Sequence, residues 1–154
     1  SFLPGEIVAA FLWAQMERAE EITKKRLAIW NYYHQKLESL GTHFRRPRVP
    51  KGCVHNAHMY YLINQTGKDR QLIIDSLKAD GIHAVFHYVP LHSSPFGRQF
   101  RQKQPELPVT DFVSANLIRL PLWTGLGTEE QDRVVNHLTA LSADSIAEEL
   151  AVAA

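Results

Sequence analysis

The spacing of apolar residues predicts a long helix, or a tandem pair of helices, over residues 3–40. Its first part, Ile7 to Ala14, is apolar on every side, and helices of this kind are buried all round. Further along, apolar residues recur on one face only: Ile22, Ile29, Tyr33, Leu37 and Leu40. We therefore expect a buried segment followed by an amphipathic one, with Gly41 at its end.

The middle of the chain predicts two strands separated by a helix. Residues 42–56 contain prolines and a glycine and are typical of a connector. Two short runs rich in aromatic and β-branched residues, His58–Asn64 and Ile82–Val89, predict the strands. Residues 67–80 predict the helix between them, whose inward positions are Leu72, Ile73 and Leu77.

The last third of the chain predicts a loop, a short helix, a third strand and a final helix. Residues 91–109 are proline-rich, and the short helix follows Thr110. The strand Leu117–Trp123 contains Pro121, which cannot donate to a ladder, so the strand lies at an edge or stops there. Thr128–Gln131 has the form of a capping box and opens a helix with one apolar face, Val134, Leu138 and Leu141.

This order of elements predicts an α+β fold: a small mixed or antiparallel sheet with helices on one face and a long N-terminal helix. We expect residues 1–142 to form one domain and residues 143–154 to form a helical tail.

Composition narrows the class of protein. The chain has 154 residues, 45% of them hydrophobic, and a net charge of +1, which fits one globular domain. It has no basic stripe for nucleic acid and no apolar run long enough for a membrane. The single cysteine excludes an internal disulfide. We therefore expect a cytoplasmic protein that binds neither nucleic acid nor membrane.

Cysteine and histidine side chains, the ligands that zinc prefers, occur in two clusters. The clusters are Cys53, His55 and His58, and His83, His87 and His92. Their spacing matches no zinc finger or zincin motif. A structural metal site therefore stays the minority interpretation, and local hydrogen bonding by these histidines stays the simpler one.

Other signals of chemistry are weak, apart from one group at a strand end. The chain has no G-x-S-x-G elbow and no glycine-rich phosphate loop. Arg45 and Arg46 have the chemistry to hold a phosphate or carboxylate, although solvated arginines are commoner. His87, Tyr88 and His92 follow the predicted strand, where a proline-stiffened turn favours a pocket.

Four segments carry a resemblance to a known family. They are "SFLPGEIVAAFLWAQMERAEEITKKRLAIWNYY", "NAHMYYL", "GIHAVFHYVPLHSSPFG" and "LIRLPLW". In this order, and at about these distances, they resemble the C-terminal domain of the sugar-nucleotide aminotransferases of the DegT/StrS family. The resemblance extends to about residue 142.

The resemblance implies a pyridoxal phosphate (PLP) enzyme with the fold of aspartate aminotransferase that works as a homodimer. Such an enzyme transfers an amino group from glutamate to C4 of a dTDP-4-keto-6-deoxyhexose. In the family the cofactor lysine lies upstream of the "SFLPGE" segment, and no lysine of this chain matches it. We therefore expect a missing N-terminal PLP domain, no catalytic residue in this chain, no PLP bound to it alone and no activity alone.

The resemblance also implies roles for six residues. Ser1 stands where many members place an asparagine that reaches the partner subunit's PLP phosphate, so it is expected to bind the cofactor. The residues expected to line the substrate pocket are His87, Tyr88, His92, Asn56 and His58. If the pocket histidines bind an anion while protonated, affinity should fall as pH rises through ~6.5. The alternative is a non-catalytic metal-binding or scaffold domain that uses the histidine and cysteine clusters.

Overall fold

The computed structural model describes residues 3–100 and 106–152, with side chains to residue 143; Ser1 lies outside these residues. The helices are α1 (Glu6–Met16), α2 (Ala19–Lys36), α3 (Arg70–Ala79), α4 (Pro108–Asn116) and α5 (Thr128–Val152). The strands are β1 (Phe44–Arg45), β2 (Tyr60–Asn64) and β3 (Leu117–Leu120). Short 3₁₀ turns cover Glu38–Leu40, Leu91–Ser93 and Gly97–Phe100.

The strands form an antiparallel sheet in the order β1-β2-β3. Tyr60 pairs with Leu120 and Leu62 with Ile118. Side chains alternate between the faces of a sheet, so these four share one face, and all of them belong to the hydrophobic core. The predicted α+β class with a small antiparallel sheet is confirmed.

Helices α2, α3 and α5 bury their apolar stripes against that core. The helical core residues are Ile29, Trp30, Tyr33, Ile73, Ile74, Leu77, Val134, Val135 and Leu138. Tyr33 is fully buried, and its hydroxyl donates to the carbonyl of Pro121 over 3.2 Å. A buried hydroxyl needs such a partner, so this bond ties α2 to the end of β3.

The long helix expected over residues 3–40 is interrupted. Arg18 has non-helical dihedrals (φ −109°, ψ 13°), which separate α1 from α2. Its guanidinium bonds the Glu21 carboxylate at 2.8 Å, and Lys25 bonds the same carboxylate at 2.7 Å. The hydrogen bond from Lys25, followed by the hydrogen bond and charge of Arg18, lowers the pKa of Glu21 to about 2. Of the two predicted arrangements, one long helix or a tandem pair, the structure has the tandem pair.

The expectation that Ile7–Ala14 is buried is wrong for the described chain. No residue of α1 is buried, and Ile7, Phe11 and Trp13 are 88%, 72% and 68% exposed. Helix α1 is apolar on all sides but has no covering layer among the described residues.

The strand expected over Ile82–Val89 shrinks to one bridge, between Val85 and Arg119. The reason lies in the neighbouring backbone bonds. The N–H of Ile82 donates to Leu77 at the end of α3, and the Tyr88 carbonyl accepts from a serine hydroxyl. These groups are taken by turns and side chains, so no ladder extends beyond Val85.

Two smaller predictions are also corrected. Leu72, expected to point inward, is 64% exposed, and Ile74 is buried instead. At the start of α5 only one half of the capping box forms, shifted by one residue: the Glu130 carboxylate accepts from the N–H of Gly127 at 2.8 Å. Gln131 is instead buried and donates to the Ile29 carbonyl at 2.9 Å.

Helix α5 continues without a break to Val152, through the residues expected to form a separate tail. Among the described residues, no helix has the length and apolar character needed to cross a bilayer.

Candidate functional site

The segment after the Val85 bridge and helix α4 border an open cavity of about 440 Å³. One wall is the run His87–Leu91, and the other is the α4 residues Val109, Thr110, Val113 and Ser114. A cavity of this size lies in the range of small-molecule sites. The structure thus brings His87 and Tyr88 together at this cleft, and their role in a substrate pocket stays a prediction.

Polar and cationic contacts hold the wall formed by His87–Leu91 in place. The Ser114 hydroxyl donates to the Tyr88 carbonyl over 2.7 Å, joining the wall to α4. The Arg70 guanidinium donates to the Ser114 carbonyl and lies 5.0 Å from the centre of the Phe86 ring. Helix α3 therefore supports the wall through Arg70.

His87 makes two close contacts. Its ring stacks on Tyr88, with centroids 3.6 Å apart, across a cis peptide bond. Its Nδ1 lies 3.0 Å from Nη1 of Arg119 on β3. Burial, followed by the positive charge of Arg119 and the nearby His58, lowers the pKa of His87. The ring therefore favours its neutral form.

His92 lies at an adjoining cavity of about 480 Å³, which shares Leu91 and Thr110 with the first. Its Nε2 lies 3.0 Å from the Asp111 carboxylate on α4. Gly97 closes the loop beneath, and a Cβ there would meet the Leu91 carbonyl oxygen at 1.8 Å. Only glycine fits this close approach of two backbone segments.

Asn56 and His58 line neither cavity. Asn56 accepts from the N–H of His58 at 3.0 Å and forms a tight turn around Ala57, whose φ of 49° is left-handed. Arg26 of α2 donates to the carbonyls of Ala57 and His58. His58 affects the site electrostatically, because it helps to lower the pKa of His87.

Sequence reasoning missed the partners of the predicted residues: Arg119 of His87, Asp111 of His92, Ser114 of Tyr88 and Arg26 of His58. Arg119 alone had a readable signal, since it is a charged residue inside the apolar run "LIRLPLW". The others come from helices whose distance to the site depends on the tertiary fold.

No group of three or more potential metal ligands occurs among the described residues. Cys53 is exposed, and the His55 ring packs edge-on against Trp30 at 4.6 Å. The simpler interpretation, that these histidines serve local packing and hydrogen bonding, fits His55.

A serine, a histidine and an aspartate form a chain of bonds elsewhere. The Ser76 hydroxyl lies 2.9 Å from Nε2 of His137, whose Nδ1 lies 2.5 Å from the Asp80 carboxylate. The order matches a hydrolase triad. None of the three residues lines a described cavity, and Ser76 lies inside α3, where its N–H serves the helix. We interpret the chain as a structural clamp between α3 and α5.

None of the lysines that the structure describes lines either cavity beside His87 and His92. The described residues therefore offer walls and hydrogen-bonding groups at this site, but no amine for a covalent bond to a cofactor.

Known proteins resemble this chain in sequence and fold. It is 28% identical over 135 residues to the uncharacterized protein MJ1066 of Methanocaldococcus jannaschii, covering 85% of this chain and 35% of that protein. The structure of DesV from S. venezuelae superposes with a TM-score of 0.79 at 21% identity, covering 87% of this chain and 35% of DesV. The PLP form of Spr1654 from Streptococcus pneumoniae gives 0.76 at 24% identity, covering 86% and 34%.

The chain thus spans about a third of the length of these proteins. Residues 5–139 match the DegT/DnrJ/EryC1/StrS aminotransferase family. Since this match includes most of the sequence, the chain belongs to the DegT/DnrJ/EryC1/StrS aminotransferase family.

Proposed function

We propose that this chain is the C-terminal domain of a PLP-dependent sugar-nucleotide aminotransferase and forms one wall of its substrate site. The observation that carries the proposal is the cavity between the run His87–Leu91 and helix α4. The chain belongs to a family of aminotransferases, and the cavity contains aromatic and imidazole groups suited to a sugar or a base.

The openness of the site supports a role as one part of a larger enzyme. Tyr88 is 63% exposed, and Val89, Leu91 and Val109 beside it are exposed as well. Apolar residues around a pocket are normally covered by ligand or protein. A further PLP domain and a second subunit of a homodimer are the covers we propose.

The individual residues divide the work of binding. The stacked pair His87 and Tyr88 offers a flat surface and a ring N–H, whereas His92, bonded to Asp111, gives the adjoining cavity a polar wall. Asn56 and His58 shape the turn next to His87 rather than the cavity itself. Ser1 is proposed to bond the PLP phosphate of the partner subunit.

PLP supplies the electron sink for amino-group transfer when it is bound. The described residues contribute walls and no lysine to that site, so we propose that this chain neither holds PLP nor turns over alone. By the resemblance of "AVFHYVPLHSSPFG" and "PGEIVAAFLWAQME", the substrates are glutamate and a dTDP-4-keto-6-deoxyhexose aminated at C4. The enzyme we propose on this resemblance is a dTDP-4-amino-4,6-dideoxygalactose transaminase, and a cytoplasmic location fits that role.

One experiment with two arms tests the proposal. In the first, ¹⁵N-labelled chain is titrated with dTDP and with a dTDP-6-deoxyhexose, and the amide shifts are followed by NMR. The largest shifts should fall in Val89–Leu91 and Val109–Ser114. His87→Ala should weaken binding by roughly fivefold, about 1 kcal/mol for one hydrogen bond. His83→Ala, an exposed histidine outside both cavities, is the matched control.

In the second arm the chain is mixed with PLP, glutamate and the 4-keto sugar nucleotide. No glutamate should be consumed, and borohydride should fix no PLP to the protein. Shifts spread evenly over the surface would count against the pocket. A reducible PLP adduct on one of the chain's own lysines would show that it is not inactive alone.

A further inference from the structure

We propose that Arg119 is a positioning residue that holds His87 neutral with its proton on Nε2, so that His87 donates a hydrogen bond to a ligand oxygen in the cavity. Only the ligand part rests on the proposed function. The tautomer of the ring is argued from the contact between Arg119 and His87 and does not depend on the proposed function.

The tautomer follows from the chemistry of the two side chains. A guanidinium carries five N–H donors and no acceptor. Nη1 of Arg119 lies 3.0 Å from Nδ1 of His87, so Nδ1 must be the acceptor and cannot carry a proton. In a neutral imidazole the proton then lies on Nε2. Protonation of Nδ1 would replace this hydrogen bond with a contact between two cations.

The groups around the ring all oppose a positive charge on it. Arg119 faces it from β3 and His58 from the turn before β2, and both lower the pKa of His87, after burial as the largest cause. Tyr88 covers one face of the ring, and Arg70 of α3 lies over the adjacent Phe86. Among the described residues, no carboxylate contributes to the titration of His87.

Arg119 is itself held firmly in place. Its N–H and carbonyl bond Val85 at 2.7 and 3.1 Å, and it pairs with Tyr61 across β2. Its Nε is buried and has no hydrogen-bond partner among the described residues. Burying an unpaired donor costs free energy, and such groups call for an explanation. Orientation of the guanidinium towards His87 is the explanation we propose.

The consequence is a directional site. Nε2 of His87 has no protein partner among the described residues, and as an N–H it suits a carbonyl, hydroxyl or phosphate oxygen. A ring in this state does not act as a general base. Its contribution to binding does not depend on protonation, in contrast to the fall in affinity near pH 6.5 expected for a protonated histidine.

The test is to read the ring directly by NMR. Chain labelled with ¹⁵N in its histidine rings gives long-range ¹H–¹⁵N spectra that distinguish the two tautomers and the cation, and His87→Gln identifies the His87 signals. The wild type should show the Nε2–H tautomer at pH 7.5. Arg119→Met should mix the tautomers and shift the His87 titration midpoint upwards, whereas Arg119→Lys, which keeps a cationic donor, should restore the wild-type pattern.

Arg133→Met is the matched control, because it also removes a guanidinium that makes a hydrogen bond, here to the Asp80 carbonyl rather than to His87. It should leave the His87 spectrum unchanged. A wild-type ring protonated on Nδ1 at pH 7.5 would overturn the proposal even if a variant failed to fold. Arg119→Met that lowers stability without changing the His87 tautomer or midpoint would also overturn it. A failure to bind dTDP-sugars would not affect these spectra and would count only against the proposed function.

Discussion

His34 is the residue whose surroundings make the clearest statement about pH. Its ring stacks on Trp30 at 4.6 Å, and its Nδ1 lies 3.4 Å from the Tyr60 hydroxyl. Burial is the largest cause that lowers the pKa of His34, and the charge of Arg46 is the next. The folded state therefore favours the neutral ring.

We predict that His34 makes the fold less stable in mild acid. Because its pKa is lower in the folded than in the unfolded chain, the unfolded chain binds more protons as pH falls from the ordinary value of 6.5. The contribution of His34 to the free energy of unfolding should thus be constant well above pH 6.5 and decrease as the pH falls below 6.5. In His34→Gln the decrease in the free energy of unfolding should be smaller, and denaturant unfolding at a series of pH values measures it.

His43→Gln is the comparison for removing a histidine whose ring bonds only its neighbour Thr42. The His34→Gln profile falling as steeply as that of the wild type would contradict the prediction. His87, whose pKa is also lowered, leaves a residual slope in both variants.

At this scale the sequence predicted types of residue better than their partners. The sequence predicts His87, Tyr88 and His92 at a pocket because they lie at the end of a strand-like run, on either side of Pro90. It does not predict Arg119 and Asp111 there, because their contacts join segments about 20 to 30 residues apart that no local pattern relates. Burial is the largest cause that lowers the pKa of His87, and one such contact, with Arg119, is the next.

At the scale of elements, α3 and α5 are joined by a polar clamp as well as by the core. The clamp comprises Ser76, His137, Asp80 and the bond from Arg133 to the Asp80 carbonyl. It lies where α3 ends, so it fixes the helix end against α5. Its bonds connect the two helices outside the apolar stripe of Ile73, Ile74 and Leu77.

We predict that the clamp acts on stability and not on catalysis. Ser76→Ala and His137→Ala should each lower the free energy of unfolding by about 1–2 kcal/mol, the cost of leaving a partly buried polar partner unpaired. The double variant should cost less than the sum, since both remove the same contact. Urea unfolding measures the changes, and Asn136→Ala, an exposed neighbour on α5, is the control.

A fluorophosphonate ester, which labels activated serines, should not modify Ser76. Labelling that required His137 would instead support a hydrolytic triad, and additive losses of stability would deny that the two side chains act through one contact.

The elements themselves could be predicted where local pattern and tertiary bonding agree. The buried face of α5 follows from helical spacing, and Val134 and Leu138 occupy it as expected. The prediction of a strand at Ile82–Val89 was wrong because β-branched and aromatic composition does not show which backbone groups already have hydrogen-bond partners. The two-residue strand β1 lay in a predicted connector, and only its pairing with β2 defines it.

At the scale of the whole molecule, the apolar surface is concentrated on α1 and around the cavity. Helix α1 exposes Ile7, Phe11 and Trp13, and the loop before α4 exposes Phe96 and Phe100. A soluble monomer rarely leaves so much contiguous apolar surface uncovered. The chain spans about a third of the length of the relatives it matches, and the PLP domain that we propose would cover part of this surface.

We predict that α1 makes the isolated chain associate with itself. Burying a side chain such as Phe11 or Trp13 is worth roughly 1.5–3 kcal/mol, so pairing of several of them offsets much of the entropy lost on association. Sedimentation velocity over a concentration series should show the weight-average mass rising with concentration. Phe11→Lys with Trp13→Lys should abolish the rise.

The double control Val54→Lys with Leu72→Lys adds the same charge at exposed apolar sites outside α1 and should leave the rise in mass unchanged. If both double variants reduced association equally, net charge rather than the α1 surface would be the cause. A wild-type chain that stayed monomeric throughout would contradict the prediction itself.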